Sequence, residues 1–242
     1  MPEFLLDLKE QFVFTFIEDE RWRYLVTGLG NTLLITLFAG IIGVAVGLVV
    51  ALVRSSYDKT ADGARMTFGR FLFSVLNWIC KLYLTVVRGT PVVVQLLIMY
   101  YVIFATSRNG VLIAIVAFGI NSGAYVAEIF RSGIMAVDNG QTEAGRSLGF
   151  GYVQTMRYIV IPQAFKTVLP TLANEFIVLL KETSVAGYVA IIDLTKGAYI
   201  IIGRTYKAFM PLIVVALVYL SLVVFFTYLV GRLERRLRNS DH

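Results

Sequence analysis

Histidine occurs once in this sequence, as the final residue His242, and cysteine occurs once, as Cys80. A single cysteine excludes an internal disulfide framework and any multi-cysteine metal site; Cys80 reads as a small buried apolar side chain. A single terminal histidine leaves no His-based catalytic or metal centre. Charge is scarce as well, at 16% of residues, against roughly 25% in soluble domains. No G-x-x-x-x-G-K-[ST] loop is present to cradle nucleotide phosphates. No internal repeat and no Ser/Gly/Pro linker divides the chain into domains. The N-terminal stretch MPEFLLDLKEQFVFTFIEDERWRY lacks the basic start of a secretory leader and carries Glu3, Asp7, Glu10, Glu18, Asp19 and Glu20. Its apolar positions suit an amphipathic helix lying on a membrane surface.

What is abundant is apolar. Hydrophobic residues make up 57% of the chain, and the mean hydropathy is +0.74. A soluble fold of this composition would lack polar surface to cover itself, so the chain reads as an integral membrane protein. The net charge of +6 does not indicate nucleic acid, because the basic residues are scattered between apolar runs, as loop charges beside a membrane are.

A membrane span needs about 20 mostly apolar residues. Tyr24–Val53, Gly89–Ser107, Asn109–Ala127 and Ala208–Gly231 contain no charge. The run from about Phe165 to Ile192 is apolar except for Lys166 at its start and Glu175, Lys181 and Glu182, and the basic residues decide whether it crosses. Arg54, Lys59, Arg65 and Arg70 fall in one connection. Arg131, Arg146, Arg157 and Lys166 fall in another, and Arg232, Arg235, Arg236 and Arg238 in the tail. Five spans put all three segments on the positive, cytoplasmic side, whereas four would separate them. Lys196, Arg204 and Lys207 then lie outside, which softens the bias. Phe71–Val87 is also apolar; it joins the second span as one element bent at Arg88-Gly89-Thr90-Pro91, where proline removes a donor and restricts the residue before it. A separate sixth span is the alternative.

The expected fold is therefore an all-α integral membrane protein with five transmembrane helices, N-terminus outside and C-terminus inside. The spans cover about 24–53, 70–107, 111–131, 165–192 and 208–231 of a transmembrane domain at 24–232. An extracytoplasmic tail (1–23) precedes it, a cytoplasmic loop (132–164) interrupts it and a cytoplasmic tail (233–242) follows. Gly43 and Gly47 have the small-xxx-small spacing that allows helices to approach closely.

The long loop Met135–Phe165 carries local signals. Asp138 is placed to cap a helix, with Gln141 three residues on in the capping-box arrangement. The helix would run through Glu143, Ala144, Gly145, Arg146, Ser147 and Leu148 and end at Gly149 and Gly151, since glycine tolerates the left-handed conformation. A second helical stretch, Tyr152–Ile161, leads to Pro162. Two short helices would thus project from the membrane.

Glu143-Ala144-Gly145, then Gly149, then Ile161-Pro162 resembles the EAA loop of ABC-importer permeases. Gly145 stands where the family's second alanine usually is, and Ile161 where leucine usually precedes the proline. Further motifs resemble the polar amino acid subgroup: Gly30-Asn31-Thr32; Arg88-Gly89-Thr90-Pro91 with Gln95; Asn121-Ser122-Gly123-Ala124-Tyr125 with Glu128-Ile129-Phe130-Arg131; and Asn174-Glu175-Phe176 with Lys181-Glu182-Thr183-Ser184. The resemblance runs from about residue 28 to 232. It implies a multi-pass permease of the type I importer fold in a bacterial inner membrane. It implies pairing with a second permease, identical or a close paralogue. Two ATPase subunits would dock on the 138–150 helix through Asp138, Glu143, Ala144, Arg146, Ser147, Leu148 and Gly149, and an extracytoplasmic binding protein would deliver an amino acid. ATP and Mg would be used by the ATPase, and no cofactor or metal by this chain, which is no enzyme itself.

An ionisable side chain at bilayer depth costs about 2.5–3.5 kcal/mol even on the lenient insertion scale, so polar residues within spans are expected to face inward. Lys181 and Glu182 are adjacent and point about 100° apart on a helix, so they cannot pair well with each other. Asn174 shares a face with Lys181, and Glu175 with Glu182. Asn121, Tyr125 and Glu128 fall at i, i+4 and i+7, and this stripe together with 181–184 would line a solute path. An amino acid needs both signs: Glu182 suits its ammonium or a basic side chain, and Lys181, Thr183 and Ser184 suit its carboxylate. Arg88, at the kink with Gly89, Thr90 and Pro91, suits a structural or gating role. The alternative class is a self-sufficient secondary transporter or channel in which Lys181, Glu182 and Glu128 relay ions.

Overall fold

The computed structural model describes residues 3–60 and 67–238, so Arg65 and His242 lie outside the described residues. Among the described residues all regular structure is helical. α1 (Glu3–Phe12) runs into a π-helical turn, Val13–Ile17, and a tight turn, Glu18–Glu20. Asp19 and Glu20 both have positive φ, 50° and 52°, which folds the chain back on itself. Thr15 and Phe16 are buried, the Arg21 guanidinium donates to the Phe14 carbonyl, and the Lys207 ammonium lies 5.3 Å from the Phe14 ring centroid. The amphipathic helix expected here thus stops at Phe12, and the stretch after it packs against the chain.

α2 (Trp22–Thr60) has 39 residues, about 58 Å at 1.5 Å per residue, and so outruns the ~30 Å hydrocarbon layer. α3 (Phe68–Gly89) is capped by the Thr67 hydroxyl, which accepts from the Arg70 N–H. It stops where the sequence requires: Thr90 is extended (φ −124°, ψ 147°), as a residue before proline tends to be. α4 (Val92–Ile98) starts immediately after Pro91 and passes into a π-helical turn, Met99–Ile103. α5 (Gly110–Met135) is the most enclosed of the long helices, with Ile113, Ala114, Phe118, Ala124 and Val126 buried.

α6 (Asn139–Ser147) begins at Asp138, whose carboxylate accepts from the Gly140 N–H at 2.6 Å. The reciprocal half of the expected capping box does not form, because the Gln141 amide oxygen accepts instead from Gln163 at 3.1 Å. Gly149, at φ +82°, ends the helix with the Phe150 N–H bonded back to the Gly145 carbonyl at 3.1 Å, the pattern that only a left-handed residue permits comfortably. α7 (Tyr152–Thr155), a π-helical turn (Met156–Val160) and α8 (Ile161–Glu182) form one uninterrupted run. The separate second loop helix expected before Pro162 is therefore the start of the long helix itself. Pro162 thus lies inside the run, and the widened π-helical turn just before it, Met156–Val160, accommodates the ring and its missing N–H.

α8 gives way to a 3₁₀ segment, Thr183–Val189, then to α9 (Leu194–Thr205) and α10 (Phe209–Arg238). Among the described residues α2, α3, α5 and α10 are each long and apolar enough to cross a membrane, and the run Tyr152–Val189 with Leu194–Thr205, bent by 45°, makes a fifth if it counts as one span.

The chain divides into two compact units: Met1–Ala39, Val92–Phe118 and Ile177–Tyr228; and Gly40–Pro91, Gly119–Phe176 and Leu229–His242. In the first, Leu194, Ala198 and Val215 form a buried cluster joined by Leu25, Leu29, Val218 and Tyr219. Gly28 has no side chain because none fits: a Cβ there would stand 2.7 Å from the Asp193 carbonyl carbon and 2.9 Å from Leu194 Cα. In the second, Val50, Cys80, Leu84, Val87, Ala124 and Ala127 make the core. Gly47 faces Val126, where an added Cβ would come within 2.7 Å of Cβ, and Gly43 faces Ser122. The Gly43/Gly47 spacing therefore brings α2 against α5 by dispersion contact, the force available when lipid is as apolar as the side chains.

Candidate functional site

The third-span stripe lies in the second unit. Asn121 is buried, Tyr125 is 37% exposed, and Glu128 is half-buried. The Glu128 carboxylate lies between two guanidiniums, with Oε1 3.5 Å from Arg88 Nη1 and Oε2 3.4 Å from Arg131 Nε. Arg88 also lies 5.7 Å from the Tyr125 ring centroid, close enough for a cation–π contribution. The stripe residue Glu128 and the kink residue Arg88, which sequence reasoning gave different roles, are thus partners. Beside them the buried Ser122 hydroxyl donates to Glu175 Oε1 at 3.0 Å. Hydrogen bonds to a charged partner contribute about 1.5–3 kcal/mol, and this one holds Glu175 in the second unit. Thr90 donates to the Val86 carbonyl at 2.8 Å, which closes the end of α3 above Gly89 and Pro91.

The KETS cluster lies in the first unit. Lys181 is exposed at the last turn of α8, Glu182 and Ser184 are half-buried, and Thr183 is buried. The Thr183 hydroxyl donates to the Leu180 carbonyl at 2.7 Å, so its proton is committed to backbone. Lys181, Glu182 and Ser184 remain accessible. Gln95, on α4, is half-buried. The helix ends here, so 181–184 straddle a change of backbone rather than the interior of a continuous span.

What fixes that change is the next break. Asp193 is fully buried, and its two carboxylate oxygens accept from Lys196 N at 3.0 Å and Thr195 N at 3.2 Å, capping α9. The Asn31 amide donates to the Ile192 carbonyl at 2.8 Å, and the Leu194 N–H donates to the Thr32 hydroxyl at 3.2 Å. Ala190, just before, sits in the left-handed region at φ 59°. Two polar side chains of α2 thereby pin residues 192–194.

The loop helix α6 presents a different surface. Glu143, Ala144, Arg146, Ser147 and Leu148 are exposed, while Gly145 is buried. Leu148 is 74% exposed, a large apolar side chain left on a polar helix. Gly145 packs on the turn that follows: a Cβ would meet Thr155 Cγ2 at 2.8 Å and Ile159 Cδ1 at 2.9 Å. The glycine in place of alanine is therefore a packing feature, allowing α6 to sit against residues 155–159.

Residues 43–239 match the family of binding-protein-dependent transport system inner membrane components. The chain belongs to that family. Its members are membrane transport components, not enzymes. The chain is 36% identical to the arginine transport system permease protein ArtQ of Bacillus subtilis, over 90% of this chain and 94% of the relative. It is 33% identical to the glutamine transport system permease protein GlnP of Escherichia coli, over 84% and 90%. Among solved structures, an amino acid ABC transporter crystallised with histidines matches with a TM-score of 0.79 at 39% identity, over 91% of this chain and 98% of that one. The MetNI methionine ABC transporter matches with a TM-score of 0.73 at 20% identity, over 89% and 97%, which speaks for the fold.

Within this family frame, sequence reasoning had missed three features. The Arg88–Glu128 ion pair and the Ser122–Glu175 bond join residues far apart in sequence, which no local pattern signals. Residues 193–207 fall between the fourth and fifth expected spans and were assigned no helix, although Leu194, Ala198, Ile201 and Thr205, all buried, have helical spacing.

Proposed function

We propose that this chain is the permease subunit of an ATP-driven importer of polar amino acids, with a preference for basic ones. The observation that carries the reading is the family match across 43–239 combined with an exposed helix, α6, whose apolar tip Leu148 has no cover in the chain. The N-terminus faces out and the C-terminus in, so that α6 meets the cytoplasm. Two ATPase subunits, which bind and hydrolyse the ATP with Mg, each receive one α6, and closure of the ATPase pair moves α6 together with the 155–159 turn on which Gly145 rests. A second permease copy or close paralogue completes the path, and an extracytoplasmic binding protein supplies the solute. Along that path Glu182 attracts the ammonium or basic side chain, while Lys181 and Ser184 meet the carboxylate, with Gln95 providing polar lining. The relatives named for arginine and glutamine transport support an amino acid as cargo.

The test is reconstitution in liposomes with an ATPase subunit and an amino acid binding protein. Expected are a stable complex and ATP hydrolysis stimulated most by basic amino acids. Failure to form any complex, or ion-gradient-driven uptake by the chain alone, would overturn the proposal and favour a secondary transporter.

A further inference from the structure

Within the second unit, a cavity of about 460 Å³ is lined by Arg54, Lys81, Leu84, Thr85, Arg88, Gly89 and Glu128. Three cations against one carboxylate leave two positive charges on its wall. That carboxylate is already shared, since its other oxygen is taken by Arg131. Arg54 Nε is buried with no hydrogen-bond partner, and a buried donor left unmade is costly. Lys81 forms no ion pair among the described residues. The Thr85 hydroxyl is not the missing partner, as it donates to the Lys81 carbonyl at 2.9 Å. At Gly89 an added Cβ would meet nothing within 4 Å, so that wall is open.

The ligand that answers such a wall has several acceptor oxygens and one or two negative charges. A phosphate matches it, because guanidinium forks bind phosphate oxygens in pairs. Place matters too. Arg54 is the first charge after the uncharged run Tyr24–Val53, and basic side chains that follow an apolar span characteristically lie among headgroups. We propose that this cavity binds a phosphate-bearing anion, with Arg54 and Lys81 as its principal contacts and a phospholipid headgroup as the nearest source. The proposal goes beyond the transport reading, and neither Arg54 nor Lys81 belongs to the proposed solute path.

The experiment uses the detergent-purified complex of this chain with its ATPase, stripped of lipid. Native mass spectrometry compares retention of phosphatidylglycerol with phosphatidylcholine, and a melting assay measures protection by inorganic phosphate. Each arm is run on the wild type, on the Arg54→Gln/Lys81→Gln double variant and on Lys81→Arg; phosphate held by the ATPase is the same in all three. Expected is phosphatidylglycerol retention over phosphatidylcholine in the wild type, weakened about tenfold or more in the double variant and kept in Lys81→Arg. Protection by inorganic phosphate, lost in the double variant and without any lipid preference, identifies a free phosphate as the source and still supports the site. If the wild type shows neither preference, or the double variant binds as the wild type does, the proposal is overturned. Should the double variant fail to assemble, the single Lys81→Gln change at an exposed side chain gives the same reading with a smaller loss.

Discussion

Replacing Gly28 by alanine probes how the break at residues 190–193 is held. A methyl group there would lie 2.7 Å from the Asp193 carbonyl carbon and 2.9 Å from Leu194 Cα. Both are backbone atoms, so neither can swing aside as a side-chain tip would, and the segment or α2 must shift by about 1 Å to restore ordinary contact. Overpacking of this kind costs about 1–3 kcal/mol. The shift also strains the Asn31–Ile192 and Thr32–Leu194 hydrogen bonds, each contributing about 0.5–1.5 kcal/mol net. Alanine recovers up to about 1 kcal/mol in helix propensity. The sum is a loss of about 3 kcal/mol, or a melting point lowered by about 6–12 °C for a chain of this size. Gly30→Ala is the control, because a Cβ there meets nothing within 4 Å; it should melt at or slightly above the wild type. Thermal unfolding of the purified permease in detergent, followed by size-exclusion fluorescence, reads both. The reasoning fails if Gly28→Ala melts within a degree of the wild type, or if Gly30→Ala is as damaging.

Glu182→Gln should lower basic amino acid uptake about tenfold, the weight of one charge-assisted contact, while the ATPase complex still forms; unchanged uptake kinetics would remove Glu182 from the path. Gly149→Val places a branched residue at φ +82° and costs about 1–2 kcal/mol or more at the end of α6. It should leave ATP hydrolysis running without proportionate uptake in liposomes, and normal coupling in that variant would refute the docking of the ATPase on α6.

The architecture was legible where physics acts locally. The break at Thr90 followed from Pro91 alone, and the ends of α6 followed from Asp138 and Gly149. The helical run through Pro162 was not, because a proline carried inside a helix by a π-helical turn and a proline that ends a helix look alike in sequence. α9 was not anticipated, because it falls between two expected spans and Lys196 and Arg204 interrupt its apolar run. The candidate site was legible in residue type but only partly in role. Lys181 and Glu182 stood out because charge in an apolar run is expensive, yet nothing local distinguishes the buried, backbone-bonded Thr183 from the accessible Ser184. Glu128 stood out as a carboxylate within a span, and Arg131 follows it one turn on; its other partner, Arg88, depends on how α3 and α5 pack, which residue spacing within either helix does not contain.

The Glu128 bridge also constrains how the protein is made. Glu128 and Arg131 lie one turn apart on a single helix, so α5 enters the bilayer with its carboxylate already neutralised. Arg88 has no such companion on α3, and its counter-charge exists only once residue 128 has been synthesised. Until then the end of α3 must keep its guanidinium among headgroups or water, as long basic side chains near helix ends do. Final seating of α3 is thus a post-insertion step that waits for α5, and folding in the membrane acquires an order set by charge rather than by chain position.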